Sequence, residues 1–135
     1  WITGPLPKMI AVQAANCAAF AAAWKAGATD YVPFSPAPTA ADGIATVKPV
    51  RTHEVLTALR RSGGGIVAVP EAEIAPALAR LGRIGLFVEP TAATAAAALS
   101  QLRCDGAIGP DDTTIVVLTG HGLKATDKVG ELLRL

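Results

Sequence analysis

The chain has 135 residues, enough for one domain that buries about two-thirds of the surface its unfolded chain exposes. Hydrophobic residues make up 51% and charged residues 17%, a balance opposite to that of a disordered segment, and the formal net charge is +1. This charge gives no argument for nucleic acid or a membrane surface as a partner, and no stretch has the roughly 20 uninterrupted apolar residues of a membrane span.

The first predicted elements are a strand and a helix. Residues 8–13 (KMIAVQ) form a short apolar run that predicts a buried strand. Residues 14–24 are rich in alanine and predict a helix, with Gln13 or Asn16 assisting its start and Gly27 after its end. The prolines within residues 30–39 then predict an extended loop.

The next predicted elements are a turn and a second helix. Residues 39–45 (TAADGIA) predict a short helix or turn, and residues 52–61 predict a helix that Thr52 caps. The inward stripe of that helix consists of Val55, Leu56 and Leu59. The glycines at 63–65 end it, and they lie before a strand rather than after one, so they do not predict a phosphate-binding loop.

Strands and helices continue to alternate in the second half. They are a strand at 66–69, a helix at 70–81, a strand at 84–88, a helix from Glu89 to about Arg103, a strand at 114–119 and a short closing helix at 129–135. This alternation predicts an α/β fold with a three-layer, open and mostly parallel sheet and helices on both faces. We expect residues 1–135 to form a single partial domain.

The cysteines and histidines do not predict a disulfide or a metal centre. Cys17 and Cys104 are far apart in the sequence and predict reduced, buried thiols of a cytoplasmic protein. His53 and His121 do not complete a set of zinc ligands with them at a recognisable spacing. We therefore expect no bound metal.

Five sequence blocks resemble the fold-type II pyridoxal-phosphate enzymes, and they occur in that family's order. They are PKMIAVQAA, TAADGIA, SGGGIVAVPEAEI, GLFVEPTAATAAAAL and VVLTGHGLK, which together span residues 7–124. The last block is the most specific, because it resembles the cofactor strand near the end of threonine synthases. The resemblance implies the C-terminal part of a threonine synthase-like cofactor domain, with pyridoxal 5'-phosphate as cofactor and an amino acid as substrate.

Thr119 is the first candidate cofactor ligand. It ends an apolar run, and ligands of open parallel sheets bind beyond the carboxyl ends of the strands. The resemblance implies that its hydroxyl bonds the pyridine nitrogen of the cofactor. A neutral hydroxyl makes the ring a weaker electron sink than a carboxylate would, which suits elimination and replacement at the β or γ carbon. The alternative is that Thr119 bonds a nearby backbone group.

The other candidate cofactor-binding residues are Gly120, His121 and Glu89. Glycines on both sides of His121 permit positive φ and the close approach of a flat ring. His121 is either an acid–base residue or a structural residue that holds the turn. Glu89 begins a helix, and the free amides at a helix start favour anions. This helix start either shapes the wall of the cofactor pocket or serves only for capping and packing. Gly43 either lines the substrate face or forms a tight turn.

The resemblance also implies that the chain lacks the catalytic lysine of the family. A pyridoxal-phosphate enzyme needs a lysine that forms a Schiff base with the cofactor. None of the lysines lies in the family's setting for that residue; they are Lys8, Lys25, Lys48, Lys124 and Lys128. We therefore expect no catalytic residue in this chain, an inactive isolated chain, and the missing N-terminal half of the enzyme as its partner. An unsatisfied sheet edge or face is expected to favour a homo-oligomer.

Three alternatives to threonine synthase stay open, of which the first is a threonine or serine dehydratase. The block ADGIA is more typical of threonine or serine dehydratases, whereas LTGHGLK favours threonine synthase, which converts O-phosphohomoserine to L-threonine and phosphate. The second alternative is a non-catalytic α/β module that binds a small molecule or a protein. A nucleotide-binding fragment has less support, because no phosphate-loop pattern is present.

Overall fold

Two parallel strands lie at the centre of the protein. The computed structural model describes residues 3–4 and 6–135. Strand β1 (Ile10–Ala14) pairs with strand β2 (Gly65–Val69), with Ile10 opposite Gly65 and Ala14 opposite Val69. Both strands are rich in β-branched or small apolar residues, which suits a buried parallel pair. The predicted strands at 8–13 and 66–69 are therefore present with slightly shifted ends.

The described residues also form helices around and beside this parallel pair. They are α1 (Ala19–Lys25), α2 (Thr52–Arg61), α3 (Glu71–Arg83), α4 (Pro90–Cys104) and α5 (Thr126–Leu133), and short 3-10 turns occupy Ala15–Cys17, Asp42–Ile44 and Gly122–Lys124. The 3-10 turn at Asp42–Ile44 is the short helix or turn predicted for residues 39–45. The closing helix α5 begins and ends earlier than the predicted residues 129–135.

The sheet has helices on both of its faces. Val67 and Val69 of β2 share a buried cluster with Ala97 and Ala98 of α4, so α4 covers one face. Gln13 of β1 pairs with Ala68, which lies between Val67 and Val69, so the Gln13 side chain is on the other face of the sheet. Its Oε1 accepts a hydrogen bond from the backbone N–H of Ala21 in α1 at 3.0 Å. Because α1 and α4 lie on opposite sides of the strands, the predicted α/β class with parallel strands and covering helices is confirmed.

A second buried cluster lies away from the sheet and joins the last helices. It consists of Leu78 and Leu81 of α3, Ala92 and Ala93 of α4, Val129 of α5, and Val88. Leu118 packs against this cluster, which attaches the residues after α4 to the body of the domain.

The start of α1 differs from the prediction. The chain makes a 3-10 turn over Ala15–Cys17 before α1 begins at Ala19. Gln13 satisfies the N–H of Ala21, one of the amides that a helix start leaves free, while the side chain of Asn16 donates to the carbonyl of Pro38 at 2.6 Å. Gly27 ends the helical region with φ +66°, as the sequence predicted.

The predicted bounds of α2 are confirmed, but the role of Thr52 is not. Arg51 occupies the cap position without a side-chain bond, and the buried Thr52 hydroxyl instead donates to the Pro49 carbonyl at 3.0 Å. Of the predicted inward stripe, Leu56 and Leu59 are buried and Val55 is half-buried. The predicted helix at 70–81 continues two residues further, to Arg83.

The glycine run after α2 forms a helix-ending turn. Gly63 has φ +66°, and the N–H of Gly64 donates to the Leu59 carbonyl at 3.0 Å. A Cβ at Gly64 would overlap the backbone carbonyl of Met9. Glycine is therefore required where the end of α2 passes close to the residue that precedes β1.

The predicted strands at 84–88 and 114–119 are wrong as strands within the described residues. Gly85 has φ +82° and turns the chain after α3, so that Val88 makes only an isolated antiparallel bridge with His121. Residues 114–119 form no regular element and have no ladder partner in the part of the chain that the structure describes. An apolar β-branched run becomes a strand only when a neighbour accepts and donates its backbone hydrogen bonds.

The cysteines are both free, but they differ in environment. Cys17 is buried as predicted, whereas Cys104 is exposed at the end of α4, which corrects the prediction for that thiol. Across residues 3–4 and 6–135, no group of three or more His, Cys, Asp or Glu side chains is placed to hold a metal ion. No helix within those residues combines the length and apolarity needed to cross a membrane.

Candidate functional site

The glycine-rich turn after the last apolar run pairs with the residues that precede α4. The N–H of Glu89 donates to the carbonyl of Gly120 at 3.0 Å, and the N–H of Gly122 donates to the carbonyl of Phe87 at 3.0 Å. Val88 and His121 are opposite each other between these two bonds. The structure thus brings Glu89, Gly120 and His121 together, three of the four predicted cofactor-binding residues.

The two glycines of the turn are required by close packing. A Cβ at Gly120 would overlap the Glu89 carboxylate, and a Cβ at Gly122 would lie 2.5 Å from the Phe87 ring. Neither glycine is among those with positive φ, so the predicted left-handed backbone does not occur there. A flat ring does approach the turn, but it is the side chain of Phe87, which sequence reasoning missed.

His121 holds the turn through its ring. Its Nδ1 accepts a hydrogen bond from the N–H of Leu123 at 3.2 Å, which begins the 3-10 turn Gly122–Lys124. Its ring meets that of Phe87 edge to face, with centroids 5.5 Å apart and an interplanar angle of 85°. Because Nδ1 accepts, the neutral ring carries its proton on Nε2.

Thr119 lies just before this turn and has an exposed side chain. Its hydroxyl forms no hydrogen bond with any residue in the described part of the chain. The hydrogen bond to a nearby backbone group, which was the alternative interpretation of Thr119, is therefore not formed. Thr119 also lines a cavity of about 850 Å³, whereas Gly120, His121 and Glu89 do not.

The start of α4 connects the turn to a third predicted block. The hydroxyl of Thr91 accepts a hydrogen bond from the N–H of Gly43 at 3.2 Å, and a Cβ at Gly43 would lie 2.8 Å from the same oxygen. Glu89 is the residue that caps α4, but its carboxylate makes no capping bond there. The blocks ADGIA, EPT and LTGHG therefore meet around one helix start.

The cavity that Thr119 lines has a volume of about 850 Å³ and lies along α4. Thr91 and Ile44 also line it, so the second and fourth sequence blocks contribute to its wall. A cavity of this size is typical of small-molecule sites. Lys8 is the only lysine among its lining residues in the described part of the chain, and it lies before β1.

The sequence matches the family described as "Pyridoxal-phosphate dependent enzyme" over residues 2–120. Among curated proteins, it is 37% identical over 127 residues to threonine synthase of Methanocaldococcus jannaschii, covering 93% of this chain and 31% of that protein. It is 39% identical over 124 residues to threonine synthase of Methanosarcina acetivorans, covering 91% of this chain and 31% of that protein. It is also 35% identical over 122 residues to threonine synthase 2, chloroplastic, of Arabidopsis thaliana, covering 90% of this chain and 24% of that protein.

A solved structure agrees with these sequence matches. The crystal structure of a threonine deaminase from T.th. aligns with a TM-score of 0.56 and 28% identity, and covers 75% of this chain and 34% of that one. The chain spans about a third or less of the length of the curated relatives it matches. Since the family match extends over most of its residues, the chain belongs to the pyridoxal-phosphate-dependent enzymes, a family whose cofactor is pyridoxal phosphate.

Proposed function

We propose that this chain is the C-terminal part of the cofactor domain of a threonine synthase. The longer protein would convert O-phosphohomoserine to L-threonine and phosphate. Three relatives between 35% and 39% identical, each matched over at least 90% of this chain, carry the name threonine synthase. The observation that carries the assignment to a cofactor site is the unbonded Thr119 hydroxyl on the wall of the 850 Å³ cavity.

The residues present fit one end of pyridoxal phosphate. The cofactor supplies an electron sink for charge that develops on a bound amino acid. The Thr119 hydroxyl is available to bond the pyridine nitrogen, because no described residue occupies it. Glu89, Gly120 and His121 act behind it: they fix the turn through backbone bonds and close packing, so that Thr119 is held in place.

The remaining parts of the site belong, in this proposal, to polypeptide outside these 135 residues. The Schiff-base lysine and the phosphate loop would come from an N-terminal part, the substrate would be a phosphorylated amino acid, and the assembled enzyme would be a cytoplasmic homo-oligomer. The relatives support this division, because the chain matches only 24–31% of their length. The isolated chain would then have no activity.

A second candidate is a threonine or serine dehydratase. It is favoured by the block ADGIA and by the structural likeness to a threonine deaminase, which has a TM-score of 0.56. The longer protein discriminates between the two candidates when it is given O-phosphohomoserine and L-threonine separately. Release of phosphate supports a threonine synthase, whereas release of ammonia from L-threonine supports a dehydratase.

Thr119 gives the direct test of the cofactor contact. In the longer protein, we expect Thr119→Val to lower kcat about 10²-fold, as removal of one preorganised hydrogen-bond donor does. We expect Thr119→Ser, the matched control, to retain most of the activity. The absorption band of the bound cofactor should shift in the valine variant only. Equal kcat and equal spectra for both variants would contradict the proposed contact.

The isolated chain gives a separate test of the missing lysine. We expect pyridoxal phosphate followed by borohydride to label its lysines weakly and without preference, because none of them lies in the family's setting for the Schiff-base lysine. Peptide mass mapping measures the label at each lysine. Saturable labelling of a single lysine, or turnover of O-phosphohomoserine by this chain, would show that the catalytic lysine lies within these residues.

A further inference from the structure

The hydroxyl of Thr91 connects the start of α4 with the 3-10 turn at Asp42–Ile44. Its Oγ1 accepts a hydrogen bond from the N–H of Gly43 at 3.2 Å, although the two residues are 48 positions apart. Gly43 lies in the first turn of the 3-10 segment, where backbone N–H groups have no partner within the segment itself. One side chain of α4 therefore supplies the acceptor that this turn lacks.

This use of a hydroxyl differs from that of the other two hydroxyls in α4. Thr94 donates to the carbonyl of Pro90 at 3.0 Å, and Ser100 donates to the carbonyl of Ala96 at 3.3 Å, so both bond one turn back within their own helix. Within the described residues, Thr91 forms no bond of that kind. Its hydroxyl serves a contact between two segments, and its removal would leave α4 with all of its own hydrogen bonds.

Glycine at position 43 lets the amide and the hydroxyl meet. A Cβ there would lie 2.8 Å from Oγ1 and 3.3 Å from Cγ2 of Thr91, and the first of these distances is too short for a Cβ contact. Gly43 is not among the glycines with positive φ, so the position requires space and not an unusual backbone conformation. The close approach therefore depends on both residues of the pair.

The turn that Thr91 holds forms part of the cavity wall. Ile44, the residue after Gly43, lines the 850 Å³ cavity together with Thr91 and Thr119, and it also packs against the buried cluster at the sheet. The backbone bonds within the turn measure 3.0 and 3.1 Å, but a 3-10 segment of three residues has little stability of its own. The position of this wall therefore depends on tertiary contacts, of which the Thr91 bond is one.

We propose that Thr91 is a positioning residue for the amino-acid substrate: it fixes the Asp42–Ile44 turn as a wall of the cavity and so raises the affinity for that substrate. This inference rests on the proposed function, which places a cofactor and an amino acid in the same cavity. A wall that is already held in place does not have to be ordered when the ligand arrives, so less binding free energy is lost.

The effect falls on the substrate rather than on the cofactor. In the proposed function the cofactor is attached to a lysine, held by a phosphate loop and bonded by Thr119, so one looser wall changes little of its attachment. The amino acid enters and leaves in every turnover and depends on non-covalent contacts with the cavity. Loss of the Thr91 hydroxyl should therefore change KM, whereas kcat should stay the same.

Steady-state kinetics of the longer protein test the inference. We expect Thr91→Val, which keeps the shape of the side chain and removes the hydroxyl, to raise KM for O-phosphohomoserine about 5-fold, as loss of one neutral hydrogen bond does. The absorption band of the bound cofactor should not shift. Thr91→Ser should retain the parent KM, and so should Ser100→Ala, which removes a hydroxyl of α4 outside this cavity.

Hydrogen exchange gives a readout that does not depend on catalysis. In the Thr91→Val variant of the longer protein, without substrate, we expect the amide of Gly43 to exchange about 5-fold faster than in the parent. The amides of residues 74–83 in α3 serve as the control and should exchange at unchanged rates. Unchanged exchange at Gly43, or an unchanged KM despite faster exchange, would overturn the inference. A lower kcat with a shifted cofactor band would also overturn it, because Thr91 would then act on the cofactor.

The proposed function can fail separately from this inference. If the unmodified longer protein releases ammonia from L-threonine and no phosphate from O-phosphohomoserine, the assignment to threonine synthase is wrong. KM for L-threonine in the same variants then tests the role of Thr91, because the wall that it positions is the same. Turnover of neither amino acid would contradict both proposals.

Discussion

Gly120 is the position where one methyl group tests the packing of the candidate site. Its backbone carbonyl accepts from the N–H of Glu89, and an added Cβ would overlap the Glu89 carboxylate and lie 2.5 Å from its Cγ. Gly120 does not have positive φ, so alanine meets no conflict with the backbone conformation there and the overlap with Glu89 is the dominant effect.

The magnitude follows from which atoms must move. The Glu89 carboxylate makes no capping bond, so it can rotate away, but the contact at Cγ requires the side chain to change its first torsion or the two backbones to separate. Overpacking of this kind costs about 1–3 kcal/mol. We therefore expect Gly120→Ala to lower the free energy of unfolding by about 2 kcal/mol. In a Glu89→Ala background the same change should cost less than about 0.5 kcal/mol, because the overlapping atoms are gone.

A double-mutant cycle in urea unfolding measures this coupling. The four proteins are the parent chain, each single variant and the pair, with Gly130→Ala in α5 as the matched control because a Cβ there meets no atom within 4 Å. We expect the control to raise stability by up to about 1 kcal/mol, since alanine is favoured over glycine in a helix. Additive effects at Gly120 and Glu89 would show that the two residues do not touch and would refute the assigned packing.

Two further predictions concern the elements that support the site. Gly64→Ala should lower the free energy of unfolding by about 3 kcal/mol in urea, because its Cβ would overlap the fixed carbonyl of Met9 rather than a side chain; an unchanged midpoint would contradict the close approach. Gln13→Met should lower the free energy of unfolding by about 1–3 kcal/mol in thermal unfolding, because the amide of Ala21 would lose its acceptor. The control Gln101→Met, at an exposed position, should have little effect. Equal losses in both variants would argue against that hydrogen bond.

Much of the fold could be predicted because its signals are local. The strand at 66–69, the helix over 52–61 and the helix end at Gly27 follow from apolar runs, helical periodicity and glycine. The errors are equally informative. Thr52 was predicted as a cap, but the Pro49 carbonyl lies within reach of its hydroxyl, and loop geometry of this kind does not follow from residue type.

The candidate site could be predicted only as separate blocks. The sequence indicated the candidate residues Glu89, Thr119, Gly120 and His121. It did not indicate that the Glu89 side chain covers Gly120 or that the Phe87 ring covers Gly122. It also did not predict the bond between Thr91 and Gly43, which are 48 residues apart. Such contacts depend on how helices and loops pack, and a glycine in the sequence does not specify which neighbour requires it.

The sequence by itself determined the α/β class, the family and the positions of most helices, because periodicity and motif order are properties of neighbouring residues. The tertiary structure decided which apolar runs became strands and which glycines serve close approach. Residues 65–69 and 114–119 are both apolar and β-branched, yet only the former are a strand in the described chain. The physical reason is that a strand is completed by hydrogen bonds to another segment, and no local pattern provides that partner.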